Sequence, residues 1–203
     1  MTSPEHPQLD AGRVLAVLER HRVEYVVIGG FAAQLHGARR PTYDVDVTPR
    51  TSDENLTRLA GALRELGARI RVDAVDGGLP FDVSGESLRG VKTLNLVTPL
   101  GEMDLTFEPD GIDGFEDLAR SATRLQVGEV QVRVAALADI IRSKTAAGRN
   151  KDNEALPELR RLARAQASGS REVRSGPTGD PRAGPAARRL SSVDRGPRSD
   201  RER

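Results

Sequence analysis

The stretch YVVIGGFAAQLHGARRPTYDVDVTP, from Tyr25 to Pro49, decides how this chain is read. Its β-branched opening, ended by Gly29 and Gly30, reads as a buried strand running into a tight turn. FAAQLHG follows as a short helix closed by Gly37. YDVDVTP alternates strictly and stops at Pro49, so it reads as a second strand. Side chains two apart on a strand share a face. Asp44 and Asp46 therefore point one way while Tyr43, Val45 and Val47 point the other, which sends the valines into a core and both carboxylates toward a cleft. Like charges that close repel. A cation that prefers hard oxygen ligands, Mg2+ or Mn2+, would compensate them.

A third carboxylate is within reach. Asp104 lies in GEMDLTF, flanked by Met103 and Leu105, in another strand-like run. If that strand lies beside YDVDV, three carboxylates converge as two-metal phosphoryl or nucleotidyl transfer requires, one ion activating a hydroxyl and the other holding a triphosphate. Asp104 would then be the general base or a ligand on the nucleophile side. Gly29 and Gly30 permit close backbone approach. Their N–H groups, at the start of the FAAQLHG helix, could face a phosphate.

The rest of the chain alternates helix and strand. Val14, Leu15, Val17 and Leu18 form a helical stripe behind Asp10, a candidate N-cap. Asp53 is the expected cap of ENLTRLAGALRELG, whose leucines share a face. ARIRVDAV, KTLNLVT and GEMDLTF read as strands, the last two as a hairpin about PLG, and TRLQV and VQVRV as another about Gly128. FEDLARSA reads as a short helix, and Leu137 to Ala167 as helical with a break near Gly148–Lys151. The expected fold is α/β (α+β), a mixed sheet flanked by helices. Three parts are expected: a catalytic core over 1–135, a helical C-terminal part over 136–167 that completes the site, and a tail over 168–203.

Composition narrows the class. The chain has 203 residues, no cysteine and a net charge of +1. The missing cysteines exclude disulfides and thiolate chemistry and fit a reducing cytoplasm. No apolar run approaches a membrane span, and MTSPEHPQLD lacks the features of a signal peptide. From Ser168 onward nine arginines face five acidic residues, whereas the first 167 residues carry 22 basic and 25 acidic side chains. The tail is rich in Gly, Pro, Ser and Arg and is expected to be disordered. The remainder is no basic nucleic-acid module, so any such contact needs a local patch or the tail.

GGFAAQLHGARRPTYDVDV resembles the signature of the DNA polymerase β-type nucleotidyltransferase superfamily, in which a Gly-Gly or Gly-Ser turn precedes a paired Asp motif. SKTAAGRNKD resembles the C-terminal Lys and Arg-x-Lys-Asp segment of its small stand-alone members related to abortive-infection (AbiEii-like) nucleotidyltransferase toxins. The resemblance spans roughly Val14 to Ala167. It departs at Phe31, where relatives often carry Ser, and at Ala155, where they often carry a second Asp. With Phe31 in place, contact to the β/γ-phosphates falls to backbone N–H groups or to Thr42.

The resemblance implies an NTP-dependent enzyme that moves NMP to an acceptor hydroxyl with Mg2+ or Mn2+ held by Asp44, Asp46 and Asp104. ATP is the representative nucleotide. Lys144, Arg149 and Lys151 would clamp the triphosphate and stabilise the departing pyrophosphate, and Asp152 would orient them or bind base or ribose. Arg39 and Arg40 could reach phosphate from the loop, and His36 is expected to be a helix-end residue. The implied setting is a toxin acting on the 3′ end of tRNA, with a cognate antitoxin as partner. The alternatives are transfer to a protein side chain, or an inactive nucleotide-binding or antitoxin-like module.

Overall fold

The computed structural model describes residues 8–174. Helix α1 (Ala11–Arg20) leads into β1 (Tyr25–Ile28), α2 (Gly29–Leu35), β2 (Asp44–Pro49) and α3 (Asp53–Glu65). Strands β3 (Arg69–Val72), β4 (Val75–Leu79), β5 (Thr93–Thr98) and β6 (Gly101–Thr106) follow. After α4 (Gly114–Ala119) come β7 (Thr123–Val127), β8 (Val130–Val134), α5 (Leu137–Ala147) and α6 (Asn150–Arg174). Helix α6 thus continues past residue 167, and the rest of the expected disordered tail, 175–203, lies outside the described residues. Among the described residues no helix is long and apolar enough to cross a membrane.

All eight strands form one mixed sheet in the order β4-β3-β5-β6-β2-β1-β8-β7. Strand β2 pairs β6 in parallel and β1 pairs β8 in parallel, while the other pairings are antiparallel. The expected mixed sheet flanked by helices is observed. Val45, Val47, Met103 and Leu105 of the two central strands are fully buried, in one cluster with Leu15 and Leu18 of α1 and Leu56, Leu59 and Leu63 of α3. Burying one such side chain stabilises by about 1.5–3 kcal/mol. The alternation Asp-Val-Asp-Val is therefore held in register by its apolar half, because a one-residue slip would push carboxylates into this cluster.

Local chemistry explains most element ends, with two differences from the sequence reading. Asp10 caps α1, its carboxylate accepting from the Arg13 N–H at 3.0 Å. The cap of α3 is Ser52 rather than Asp53; the Ser52 hydroxyl accepts from Asn55 N–H, and Asp53 opens the first helical turn, where its charge suits the helix dipole. ARIRVDAV is not one strand. It turns after Val72 into β4, whose Val-Asp-Gly-Gly-Leu carries few strand-forming residues. Gly78 makes that hairpin possible: it has φ +71°, and a Cβ there would lie 2.5 Å from the Ile70 carbonyl oxygen.

Candidate active site

The parallel pairing of β2 with β6 sets Asp46 opposite Asp104. Asp44 lies two residues from Asp46 on the same face, so three half-buried carboxylates converge. One oxygen from each lies within 4.8 Å of the others. The Thr42 hydroxyl donates to Asp44 Oδ1 at 2.7 Å, which orients that carboxylate.

The glycine pair is what lets the carboxylates sit there. Gly29 begins α2 with φ +69°, and a Cβ on it would lie 2.0 Å from Asp46 Oδ2. A Cβ on Gly30 would lie 2.6 Å from the Thr42 hydroxyl oxygen. A side chain at Gly29 would displace Asp46 on β2, and one at Gly30 would displace Thr42 in the loop before it. The backbone N–H of Gly30 in turn bonds the Asp46 carboxylate. The turn therefore serves the carboxylates directly, a role the sequence reading had not assigned to it.

The cluster is electrostatically unsatisfied. Burial, and then the charges of Asp44 and Asp104, push the Asp46 carboxyl up to about 7; the Gly30 N–H and the charge of Lys144 pull the other way. Asp104 is also raised, chiefly by burial, against the opposing guanidinium of Arg71. Three hard-oxygen ligands at this spacing and short of positive charge form the expected acidic triad, a donor set that could hold a divalent cation. Arg71 went unseen in the sequence. It stands on β3, and its Nη2 lies 3.0 and 3.1 Å from the two Asp104 oxygens while Nη1 bonds Glu102. No local signal marks it, because it reaches its partners across β5.

A second wall faces the first across a cavity of about 580 Å3, lined by Gly29, Gly30, Thr42, Asp44, Asp46, Asp104, Lys144, Arg149, Lys151 and Asp152. Lys144, on α5, donates to Asp152 Oδ1 at 2.8 Å, and Arg149 donates to Oδ2 at 2.6 Å. Asp152 is fully buried at the start of α6. Burial alone would raise its pKa, but the hydrogen bonds from Lys144 and Arg149 outweigh it and hold the carboxyl below its usual range. Lys151 is exposed at the cavity. Arg40 also lines it, paired with Glu154 at 2.9 Å. Arg39 is not among the lining residues: it is exposed, and its backbone N–H bonds Glu158. His36 is a helix-end residue as expected, with Nε2 2.8 Å from the Ala135 carbonyl oxygen.

No family model matches the chain, and no curated protein matches it significantly. Solved structures do. The lincosamide antibiotic adenylyltransferase LnuA, with lincomycin bound, superposes with a TM-score of 0.50 at 14% identity, over 74% of this chain and 94% of that one. The antibiotic-resistance factor ANT(2'')-Ia gives a TM-score of 0.46 at 16% identity, over 80% of this chain and 91% of that one. Its complex with adenylyl-2"-tobramycin gives 0.46 at 18%, over 79% and 88%. The chain has the nucleotidyltransferase-like fold that LnuA displays.

Proposed function

We propose that this chain is a nucleotidyltransferase that moves NMP from a nucleoside triphosphate to an acceptor hydroxyl. The observation that carries the reading is the convergence of Asp44, Asp46 and Asp104 on one side of a single cavity with Lys144 and Arg149 on the other. Asp44, Asp46 and Asp104 would hold Mg2+ or Mn2+. When bound, the ion supplies positive charge to the triphosphate and lowers the pKa of a coordinated hydroxyl. Asp104, with its raised pKa, is suited to take the proton of the acceptor hydroxyl as its oxygen bonds the α-phosphorus. The bond from that phosphorus to pyrophosphate breaks, and Lys144 and Arg149 compensate the charge that the leaving group gains. Asp152 fixes both cations in advance, so little reorganisation is needed. Because all three carboxylates and Lys144 are present in working proximity, catalysis is favoured over an inactive binding module.

The acceptor that suits the cavity is a small hydroxyl-bearing molecule, neutral or cationic, rather than RNA. The lining contains nine carboxylate side chains, Asp44, Asp46, Glu102, Asp104, Glu108, Asp110, Asp139, Asp152 and Glu158, against Arg40, Lys144, Arg149 and Lys151. Three of those four cations are already paired with carboxylates. With Lys144 and Arg149 given to the triphosphate, an RNA acceptor would be left with Arg40, already paired to Glu154, and Lys151. LnuA, which has this fold, holds the small molecule lincomycin, and that supports a small acceptor here. The tRNA acceptor, the toxin role and the antitoxin partner rest on the sequence resemblance and on the arginine-rich stretch beyond residue 168. To test the reading, the full chain is incubated with α-labelled NTPs, Mg2+ and cell lysate, and the RNA, protein and small-molecule fractions are counted. Label in the small-molecule fraction is expected. Label sensitive to ribonuclease would restore RNA as the acceptor, label sensitive to protease would make it protein, and no transfer into any fraction would end the enzyme reading.

A further inference from the structure

Arg71 is the feature of the site that the proposed transfer does not use. It belongs to β3, which pairs with β5, which pairs with β6. Its guanidinium therefore spans a whole strand to reach Glu102 and Asp104. The pairing of β3 with β4 shifts register between Ile70 and Val72, directly at Arg71. Such irregularities re-aim a side chain and recur beside functional sites. The guanidinium is three-quarters buried and Asp104 more so, so solvent screens the contact less than it would on an open surface. Nη2 approaches both oxygens of Asp104, the atoms that a cation shared with Asp44 and Asp46 would also claim.

We infer that Arg71 is a built-in competitor of the divalent cation: its guanidinium holds Asp104 in place of the metal and yields toward Glu102 when the metal arrives. Arg71 thereby sets how tightly the site binds its ion, and acts through Asp104 as a positioning residue. Two features of the geometry support release. Glu102 already accepts from the other guanidinium nitrogen, so the cation retains a carboxylate partner when it leaves Asp104. Arg71 also sits on β3, in the β3–β4 hairpin at the edge of the sheet and separated from β6 by β5, so it can shift without disturbing β2 or β6. A guanidinium spans two carboxylates through a planar fork of donors, which a lysine ammonium cannot reproduce.

This inference rests on the metal-binding reading above, and Mn2+ without nucleotide tests the two separately. Free Mn2+ is titrated against the full chain by electron paramagnetic resonance for wild type, Arg71→Gln and Arg71→Lys. Arg71→Gln should bind Mn2+ about tenfold more tightly, a difference of ~1.4 kcal/mol. Arg71→Lys, which keeps the charge but loses the fork, should bind about threefold more tightly, about half that difference. A variant with a merely damaged fold would bind more weakly, so the direction of the change distinguishes competition from structural loss. If Arg71→Gln does not fold, Arg71→Lys alone decides. Affinity equal to or below wild type in the folded variants overturns the inference while leaving the metal site intact. Absence of Mn2+ binding in wild type and both variants overturns the inference and the metal site together.

Discussion

The two walls of the cavity are in opposite electrostatic states. On the sheet wall, Asp44, Asp46 and Asp104 crowd together, and the proton affinity of Asp46 rises until its carboxyl titrates near 7. On the helical wall, Lys144 and Arg149 close on Asp152, and that buried carboxyl is held below its usual range. One wall is short of positive charge and the other has assembled its own ion-pair cluster. The contrast suits a site in which a ligand completes the first wall, while the second must be rigid before the ligand arrives. It also separates residues that work on the ligand at the expense of the fold from residues that support both.

The largest break in this comparison is on the sheet wall. Asp46→Asn or Asp104→Asn should lower nucleotidyl transfer by roughly 10³-fold or more, measured as label incorporated from NTP, while circular dichroism shows an intact fold. Residual turnover within tenfold of wild type would remove these carboxylates from the chemistry.

On the helical wall, Lys144→Ala should cost roughly 10²–10³ in rate and also about 1–3 kcal/mol of stability, because buried Asp152 loses one of its partners. Lys144→Ala combined with Asp152→Asn should recover much of the stability and none of the rate. Recovery of both would mean that Lys144 serves the fold alone.

Stability against pH should distinguish the walls by sign. The pKa of Asp46 is raised in the folded state, so the native protein keeps a proton that the unfolded chain sheds. In EDTA, stability should therefore fall as pH rises from about 4 through about 7, by a few kcal/mol at most. Asp152 is lowered, so its contribution is present above about pH 4 and is lost as pH falls below that. Melts of Asp46→Asn should show a smaller decline between pH 4 and 7, what remains coming from Asp104, whose carboxyl burial also raises, and the variant should be more stable than wild type at pH 8. Equal or lower stability there would contradict the picture of a frustrated wall.

Gly29→Ala sharpens the same point from the backbone. A β-carbon would meet Asp46 in a conformation that L side chains avoid. A stability loss of about 1–3 kcal/mol is expected, with weakened Mn2+ binding read by electron paramagnetic resonance. Unchanged Mn2+ affinity would mean that the carboxylates do not depend on this turn. The smallest effect is a control away from both walls. Arg89→Ala removes an exposed pair with Asp53 and should leave the midpoint of a denaturant melt close to that of wild type.

The sequence by itself determined the local facts. Period-two alternation placed Asp44 and Asp46 on one face, the same rule aligned Asp104 between Met103 and Leu105, and the paired glycines marked a tight turn with close backbone approach. These readings succeed because strand periodicity and glycine backbone preference act within a few residues. Tertiary structure alone decided that β6 lies beside β2 in parallel, which turns two separate acidic strands into one three-carboxylate cluster. It also brought Arg71 across β5 to Asp104 and paired Lys144 and Arg149 with a buried Asp152. It set Ser52 rather than Asp53 at the start of α3, and added β4 in a stretch poor in strand-forming residues. Strand order and cross-strand charge pairing arise from contacts between residues tens of positions apart, set by which apolar faces bury together, and no local period records that choice.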